Sequence, residues 1–351
     1  MNLALDLAWR GWGRVQPNPL VGAVVLADGI VVGEGWHAEV GERHAEPIAL
    51  ERAGPRARGA TLVVTLEPCD HQGKQPPCTD AILHAGLRRV VTAMRDPNPE
   101  AKGGAARLAT LGVEVEVGVG REAAAAQNAI FLHRFRNQTR PFVALKLATS
   151  LDGKIADSSG HSRWISGERA RDYVHWLRAG FDAIGVGGRT ARTDDPGLTV
   201  RGSVAPRVPP RRLIFDAGAD LDVSLSLVRT ARETNTTVVT AADAPQDRVA
   251  RLVEAGVSVI RAGSLDEALR MLRVDGVSSL LVEGGGRLAG ALLGLGVVDR
   301  YYWVQSPLWL GDRGVPATAG LPSDPIARAE RWTVAERRAL GEDTLLVLDR
   351  H

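Results

Sequence analysis

The stretch TLEPCDHQGKQPPC, residues 65–78, holds Cys69 and Cys78, the only two cysteines in 351 residues. Upstream lies His44-Ala45-Glu46. A histidine nitrogen and two thiolates give zinc three protein ligands and leave a fourth tetrahedral position for water, the arrangement of catalytic rather than structural sites. Zinc lowers the pKa of such a water towards ~7, and a nearby carboxylate then carries a proton between water and leaving group. Glu46, separated from the histidine by one residue at the start of the same helix, fits that second role. The alternatives are a structural zinc completed by His71 or His37, or a disulfide, although secreted disulfide frameworks normally carry more cysteines. Glu67, in the strand-ending Leu-Glu-Pro, is assigned structural hydrogen bonds. His84, His133 and His175 fall on expected helices and are assigned to packing or surface.

These residues need elements to hold them. LALDLAWRG reads as a helix, and LVGAVVLADGIVVGEGWH as two strands around an Ala-Asp-Gly turn. Next come a helix over about Ala45–Ala53, a strand ATLVVTL, a helix TDAILHAG closing at Gly86, a strand RRVVTAM, and a helix and strand between Ala105 and Val117. Pro47 is compatible with the first turn of its helix, where a missing N–H has no intrahelical partner. REAAAAQNAIFLHRF, 121–135, reads as one helix, and RPFVALKLA, 140–148, starts a new strand. The alternation then resumes with strands FDAIGVG, RRLIFDA, TTVVTA, GVSVIRA and SSLLVEG, and helices near 167–178, 246–255, 265–272 and 287–295. Both halves are therefore expected to be α/β, with domains over 1–139 and 140–351 and a boundary near Thr139.

The His-x-Glu and Pro-Cys pattern belongs to zinc base deaminases, in which an amino-bearing ring carbon is attacked and ammonia leaves. Nucleoside and nucleic-acid deaminases usually space the thiols as Cys-x-x-Cys, whereas here the eight residues DHQGKQPP intervene. Taken with QPNPLVGAVV (16–25), GEGWH (33–37) and DPNP (96–99), this segment resembles the deaminase half of bacterial bifunctional riboflavin-biosynthesis proteins. The resemblance implies a cytidine-deaminase-like layered α/β domain and Zn2+ on His44, Cys69 and Cys78, with Glu46 catalytic. It also implies a phosphoribosylaminopyrimidine substrate, 2,5-diamino-6-(5-phosphoribosylamino)pyrimidin-4-one, in a pocket shaped by Asn18 and the loop 70–77.

In the second half, LKLATSLDGKIADSSGHSRWIS (145–166), GGRTARTDDPGLTVR (187–201) and SLLVEGGGRLAGALL (279–293) are candidate ligand segments. The glycine turn lets backbone N–H groups and a helix dipole meet a phosphate, but its spacing is not the dinucleotide fingerprint and it also serves as a tight connection. Together and in this order, the three resemble the reductase half of the same family, with a dihydrofolate-reductase-like α/β domain. The resemblance implies NADPH, which reduces the ribosyl group of 5-amino-6-(5-phosphoribosylamino)uracil to ribityl. Ser162, Arg178, Leu198, Arg201 and Glu283 then match substrate positions, the arginines suiting the phosphate. Ala148, Trp164, Thr190, Asp194, Gly285, Gly286, Arg287 and Leu288 match cofactor positions. The plainer alternatives place Trp164 in a core, Arg178 on a solvated face and Asp194 as a turn cap. After RRLIFD, Ala217 and Asp220 stand where the family offers a hydroxyl and a basic residue for the cofactor's 2′-phosphate, which leaves NADH as an alternative. Lys154 has no assigned chemical role.

A formal charge of +2, with three tyrosines and five phenylalanines, speaks against a nucleic-acid platform. The longest apolar run, LAGALLGLGVV, falls short of the ~20 residues of a membrane span, so no membrane partner and a cytoplasmic location are expected. The resemblance further implies a homo-oligomer, dimer or tetramer. A base-editing deaminase with a binding module, and a zinc-stapled scaffold without catalysis, are the competing readings.

Overall fold

A computed structural model describes residues 1–73 and 75–350, and the chain divides into two compact units, Met1–Asn137 and Gln138–His351. In the first unit, strands β1 (Gly22–Ala27), β2 (Ile30–Trp36), β3 (Thr61–Val64), β4 (Arg89–Thr92) and β5 (Glu114–Val117) form a sheet of order β2-β1-β3-β4-β5. The β1–β2 and β1–β3 pairs are antiparallel, and β3–β4 and β4–β5 are parallel. Six helices accompany it: α1 (Asn2–Ala8), α2 (Ala45–Ala53), α3 (Cys78–Ala85), α4 (Gly104–Thr110), α5 (Arg121–Gln127) and α6 (Ala129–Arg136).

Glycine sets the distance between helix and sheet here. A Cβ at Gly33 or Gly35 would lie 2.1 Å from the carbonyl oxygen of Ala49 or Ala45, so the Gly-Glu-Gly of β2 lets α2 lie against the strand. That contact holds the helix whose N-cap is His44 and whose first turn carries Glu46. Gly104 does the same at the start of α4, where a Cβ would meet Pro68 O at 1.9 Å and disturb the Pro-Cys turn. Val25, Leu62, Val64, Ile82, Val90 and Leu108 fill the core beneath. The single helix expected over 121–135 is two, parted at Asn128. The Asn128 side chain accepts from Leu20 N at 2.8 Å and donates to Leu20 O at 3.0 Å, trading helix continuity for a clamp on the segment preceding β1.

The second unit is built on strands β6 (Phe142–Thr149), β7 (Lys154–Ala156), β8 (Ala183–Gly187), β9 (Arg211–Phe215), β10 (Thr236–Ala241), β11 (Ser258–Ala262), β12 (Ser279–Glu283), β13 (Arg300–Gln305), β14 (Val315–Pro316), β15 (Thr333–Leu340) and β16 (Asp343–Asp349). Its helices are α7 (Glu168–Arg178), α8 (Gly188–Asp194), α9 (Ser226–Arg229), α10 (Gln246–Glu254), α11 (Leu265–Val274) and α12 (Gly286–Gly294). Nine strands form one sheet of order β11-β10-β9-β8-β12-β6-β13-β16-β15, and β7 pairs separately with β14. The run from β11 to β13 is parallel throughout, with β16 and β15 added antiparallel. Leu145, Leu147, Leu280 and Val282 pack with α11 and α12 residues on one face, and Ile184, Val186, Ile214 and Val238 fill the other. Such doubly covered parallel strands read as near-continuous apolar runs, as RRLIF and SSLLVE do. No strand is expected from the sequence beyond residue 284, yet β13 lies inside the sheet and β15 closes the edge with Glu336, Arg337 and Arg338, charges that discourage further pairing.

Candidate active sites

In the first unit His44 ends the loop before α2, Cys69 lies after β3, and Cys78 opens α3. Their ligand atoms lie within 4.8 Å of one another, with His44 Nδ1 3.2 Å from Cys78 Sγ and 3.5 Å from Cys69 Sγ. Both cysteines are free and buried. Sharing a hydrogen bond with Cys78 pulls the Cys69 thiol down to about 4, while the same contact and burial push Cys78 up. The pair thus sheds one proton readily and resists losing the second. A cation supplies the charge that allows both to be thiolates, and one nitrogen with two sulfurs suits zinc.

Glu46 is 3 % exposed, and burial pushes its carboxyl up to about 7 against the opposing charge of His44. It lines a cavity of about 400 Å³ together with Asn18, His37, His71, Asp96 and Asn98. His37 does not join the ligand group. Its Nδ1 faces Arg43 O at 3.2 Å and its Nε2 faces Asn18 Nδ2 at 3.1 Å, with the ring edge-on to His44. His71 lines the cavity, and its Nδ1 has no partner among the described residues. Glu67 accepts from Asp96 N and Ala105 N, each at 3.0 Å, a structural use. The base of the loop 70–77, of which residue 74 lies outside the described residues, is fastened by Asp70. That carboxylate accepts from Thr79 Oγ1 at 2.8 Å and from Arg107 Nη1 at 2.7 Å. Sequence reasoning did not assign Asp96 and Asn98 to the cavity; the turn DPNP was the available signal. Asn98 N donates to Asp96 Oδ1 at 2.8 Å, and burial raises the Asp96 carboxyl to about 6.

The second unit carries a cavity of about 1470 Å³ along the carboxyl ends of β6, β8, β9 and β12, where ligands of open α/β sheets bind. Ala148, Ser162, Trp164, Arg178, Thr190, Asp194, Leu198, Arg201, Glu283, Gly285, Gly286, Arg287 and Leu288 all line it. Gly284 and Gly285 have φ of +69° and +84°, and the first turn of α12 has no side-chain cap, leaving backbone N–H groups for an anion. Trp164 is 69 % exposed, with the Arg171 guanidinium 4.6 Å from its ring centroid, so it is not a core residue. The Asp194 carbonyl accepts from Arg163 Nη2 at 3.0 Å, and burial raises the Asp194 carboxyl. Leu198 is buried with φ +47°, an uncommon conformation for a branched side chain.

Arg178 lines the cavity and also has protein partners. Its Nε and Nη2 donate to the two Glu283 oxygens at 2.6 and 2.9 Å, and Nη1 donates to Thr199 O at 2.8 Å, so its first partner is a carboxylate. Arg201 makes no hydrogen bond or ion pair among the described residues. Lys146, which sequence reasoning passed over, lies beside Glu283 in the β6–β12 register and also lines the cavity. Burial lowers its pKa, partly opposed by Glu283. The one signal was a charge inside the apolar run FVALKLA. Burial pushes Glu283 up, but the charge and hydrogen bonds of Arg178, with Lys146 behind, outweigh it and hold the carboxyl below its usual range. Asp220 is turned out of this cavity to Arg248, 3.2 Å away, and Lys154 Nζ reaches Asp312 O at 3.4 Å.

Residues 1–94 match the cytidine and deoxycytidylate deaminase zinc-binding region, and residues 141–346 match the RibD C-terminal domain. A riboflavin biosynthesis protein RibD of Aquifex aeolicus is 40 % identical over 354 residues, covering 100 % of this chain and 98 % of that protein. The RibD of Escherichia coli strain K12 is 38 % identical, covering 99 % of this chain and 98 % of its own length. A Thermotoga maritima structure described as a diaminohydroxyphosphoribosylaminopyrimidine deaminase/5-amino-6-(5-phosphoribosylamino)uracil reductase superposes with a TM-score of 0.82. It is 35 % identical and is matched over 100 % of this chain and 97 % of its own. With a three-donor cluster in one unit, a glycine-turn cavity in the other, and relatives spanning both, the chain belongs to the RibD family of riboflavin biosynthesis proteins.

Proposed function

We propose that the two units catalyse successive steps: hydrolytic deamination of 2,5-diamino-6-(5-phosphoribosylamino)pyrimidin-4-one, then reduction of the ribosyl group of the resulting uracil to ribityl. The observation that carries this reading is the pairing of a buried His/Cys/Cys cluster beside Glu46 with a separate cavity built on Arg178, Glu283 and Lys146.

In the first unit His44 Nδ1 and the two Sγ atoms would hold zinc, which supplies a water acidic enough to ionise near neutrality. Glu46, with a carboxyl near 7, takes a proton at its carboxylate oxygen and returns it to the departing amino nitrogen, so that ammonia leaves. The pyrimidine lies against Asn18, with Asp96 and Asn98 lining the same cavity. In the second unit NADPH, when bound, supplies hydride to the sugar C1. Arg201 and Ser162 hold the substrate phosphate, and the uncapped turn of α12 takes the cofactor's pyrophosphate. Opening the ribose ring requires a proton at its oxygen, and Lys146 Nζ, on the cavity wall beside Glu283, provides it. The Arg178–Glu283 pair fixes the carboxylate that keeps this lysine charged. A cytoplasmic location and a homo-oligomer belong to the same reading. Among the described residues no helix is long and apolar enough to cross a membrane.

The test is Glu46→Ala. The variant is expected to retain zinc, to lose ammonia release, and to keep NADPH oxidation on the deaminated intermediate. Ammonia release at the wild-type rate removes Glu46 from the mechanism.

A further inference from the structure

The cavity of the second unit extends past the glycine turn to the ends of β8 and β9, where Arg189 and Arg192 of α8 stand with Asp216 and Ala217. A dinucleotide with its pyrophosphate at α12 and its nicotinamide beside Lys146 and Glu283 has only one direction left along the sheet. Strand order places β8 and then β9 on that side of β12, so the adenosine ends there.

Two carboxylates near this end would repel a further phosphate if they faced it. Neither is free to do so. Asp220 lies outside the cavity lining with its carboxylate on Arg248. Asp216 is 7 % exposed; its Oδ2 accepts from Asp220 N at 2.7 Å and from Arg192 Nη1 at 3.1 Å. Its Oδ1 sits where a Cβ on Gly188 would come within 2.5 Å, so the carboxylate is packed against the start of α8 and not open to a ribose hydroxyl. Arg192 is fixed at Nη1 by Asp216 and by Asp220 O at 3.3 Å, which leaves its Nε and Nη2 donors without a partner among the described residues. Arg189, exposed on the same helix, has no partner there either. Asp194 and Asp195 at the other end of α8 also line the cavity, Asp195 with its Oδ2 taken by Ser226 N and Oγ at 2.9 and 2.7 Å, while both arginines keep donors free.

We infer that Arg192 and Arg189 form the subsite for a phosphate on the adenosine ribose, so that this chain selects a 2′-phosphorylated dinucleotide from the α8 side of the pocket and not from the loop after β9. Asp216 is the positioning residue that holds Arg192. The inference rests on the reductase reading of this cavity and adds the residues that choose its cofactor.

Calorimetric titration of the full chain with adenosine 2′,5′-bisphosphate and with 5′-AMP tests it without turnover. Wild type is expected to bind the bisphosphate roughly tenfold or more tightly than AMP, as one charge-assisted contact is sufficient to give. Arg192→Ala and the double variant with Arg189→Ala should reduce that ratio progressively towards one. AMP affinity should be kept, which also reports that the pocket is folded. Asp220→Ala should leave the ratio unchanged. A wild-type ratio near one, a double variant with the wild-type ratio, or a larger effect from Asp220→Ala overturns the inference alone. Binding of neither nucleotide by wild type overturns the reductase reading and this subsite with it.

Discussion

Replacing Glu283 with glutamine removes one charge from a buried triad while keeping its shape. Arg178 and Glu283 are only 12 % and 13 % exposed at their side chains and are joined by two hydrogen bonds. Breaking such a pair from one side costs about 3–5 kcal/mol, because the remaining charge stays buried. Glutamine keeps one acceptor for Arg178, and a hydrogen bond to a charged group recovers about 1.5–3 kcal/mol. The expected loss is therefore about 2 kcal/mol, roughly 30-fold in the opening equilibrium of α7 and β12. Hydrogen exchange of peptides from those two elements measures it directly. The pH dependence fixes the sign. A carboxyl held below its ordinary value of 4.5 stabilises the fold above that value and loses the contribution as pH falls through the folded value. The gap between wild type and Glu283→Gln should thus be full at neutral pH and close well below 4.5. Equal protection at neutral pH, or a gap that persists in acid, would show that the pair does not carry the stability assigned to it.

Lys146→Met should abolish most reductase turnover. In the wild type the reductase rate should fall as pH rises through the lysine's lowered value, and in Glu283→Gln that limb should move to still lower pH, because the carboxylate is what raises Lys146; initial rates of NADPH oxidation across pH read both. Gly35→Ala forces a Cβ to within 2.1 Å of Ala45 O and should displace the start of α2, at a cost of about 1–3 kcal/mol. Zinc content measured by atomic emission should drop with it. Cys78→Ser, or chelation of the wild type, should remove zinc and ammonia release together while NADPH oxidation on the deaminated intermediate continues.

The metal cluster was legible in the sequence because zinc constrains residue type as well as spacing, and His44, Cys69 and Cys78 satisfy both. Apart from the short β7, α8 and α9, the α/β alternation was legible through β12 because apolar runs and turn residues recur in step. The strands beyond β12 were not. Arg300–Gln305 becomes a central strand only through pairing with β6, some 150 positions earlier, and β15 is a polar edge with no alternation to detect. Lys146 could not be told from an ordinary half-buried lysine until β12 and β13 flanked its strand and set Glu283 beside it. The carboxylate partner of Arg178 was hidden for the same reason: a helix pattern gives the face of an arginine but not the Glu283 side chain that meets it from another strand. Asp220 looked repulsive in sequence, but in the fold it lies outside the cavity lining with its carboxylate 3.2 Å from Arg248 of α10.

One chain carries deamination and reduction, each in its own domain. This is tested most directly by incubating the purified protein with the diaminopyrimidinone phosphate, with and without NADPH, while following ammonia and cofactor absorbance separately. Ammonia release is expected without NADPH, and cofactor oxidation only once deaminated product has formed. Ammonia release that requires NADPH, or cofactor oxidation that precedes it, would show that deamination does not come first at a site of its own.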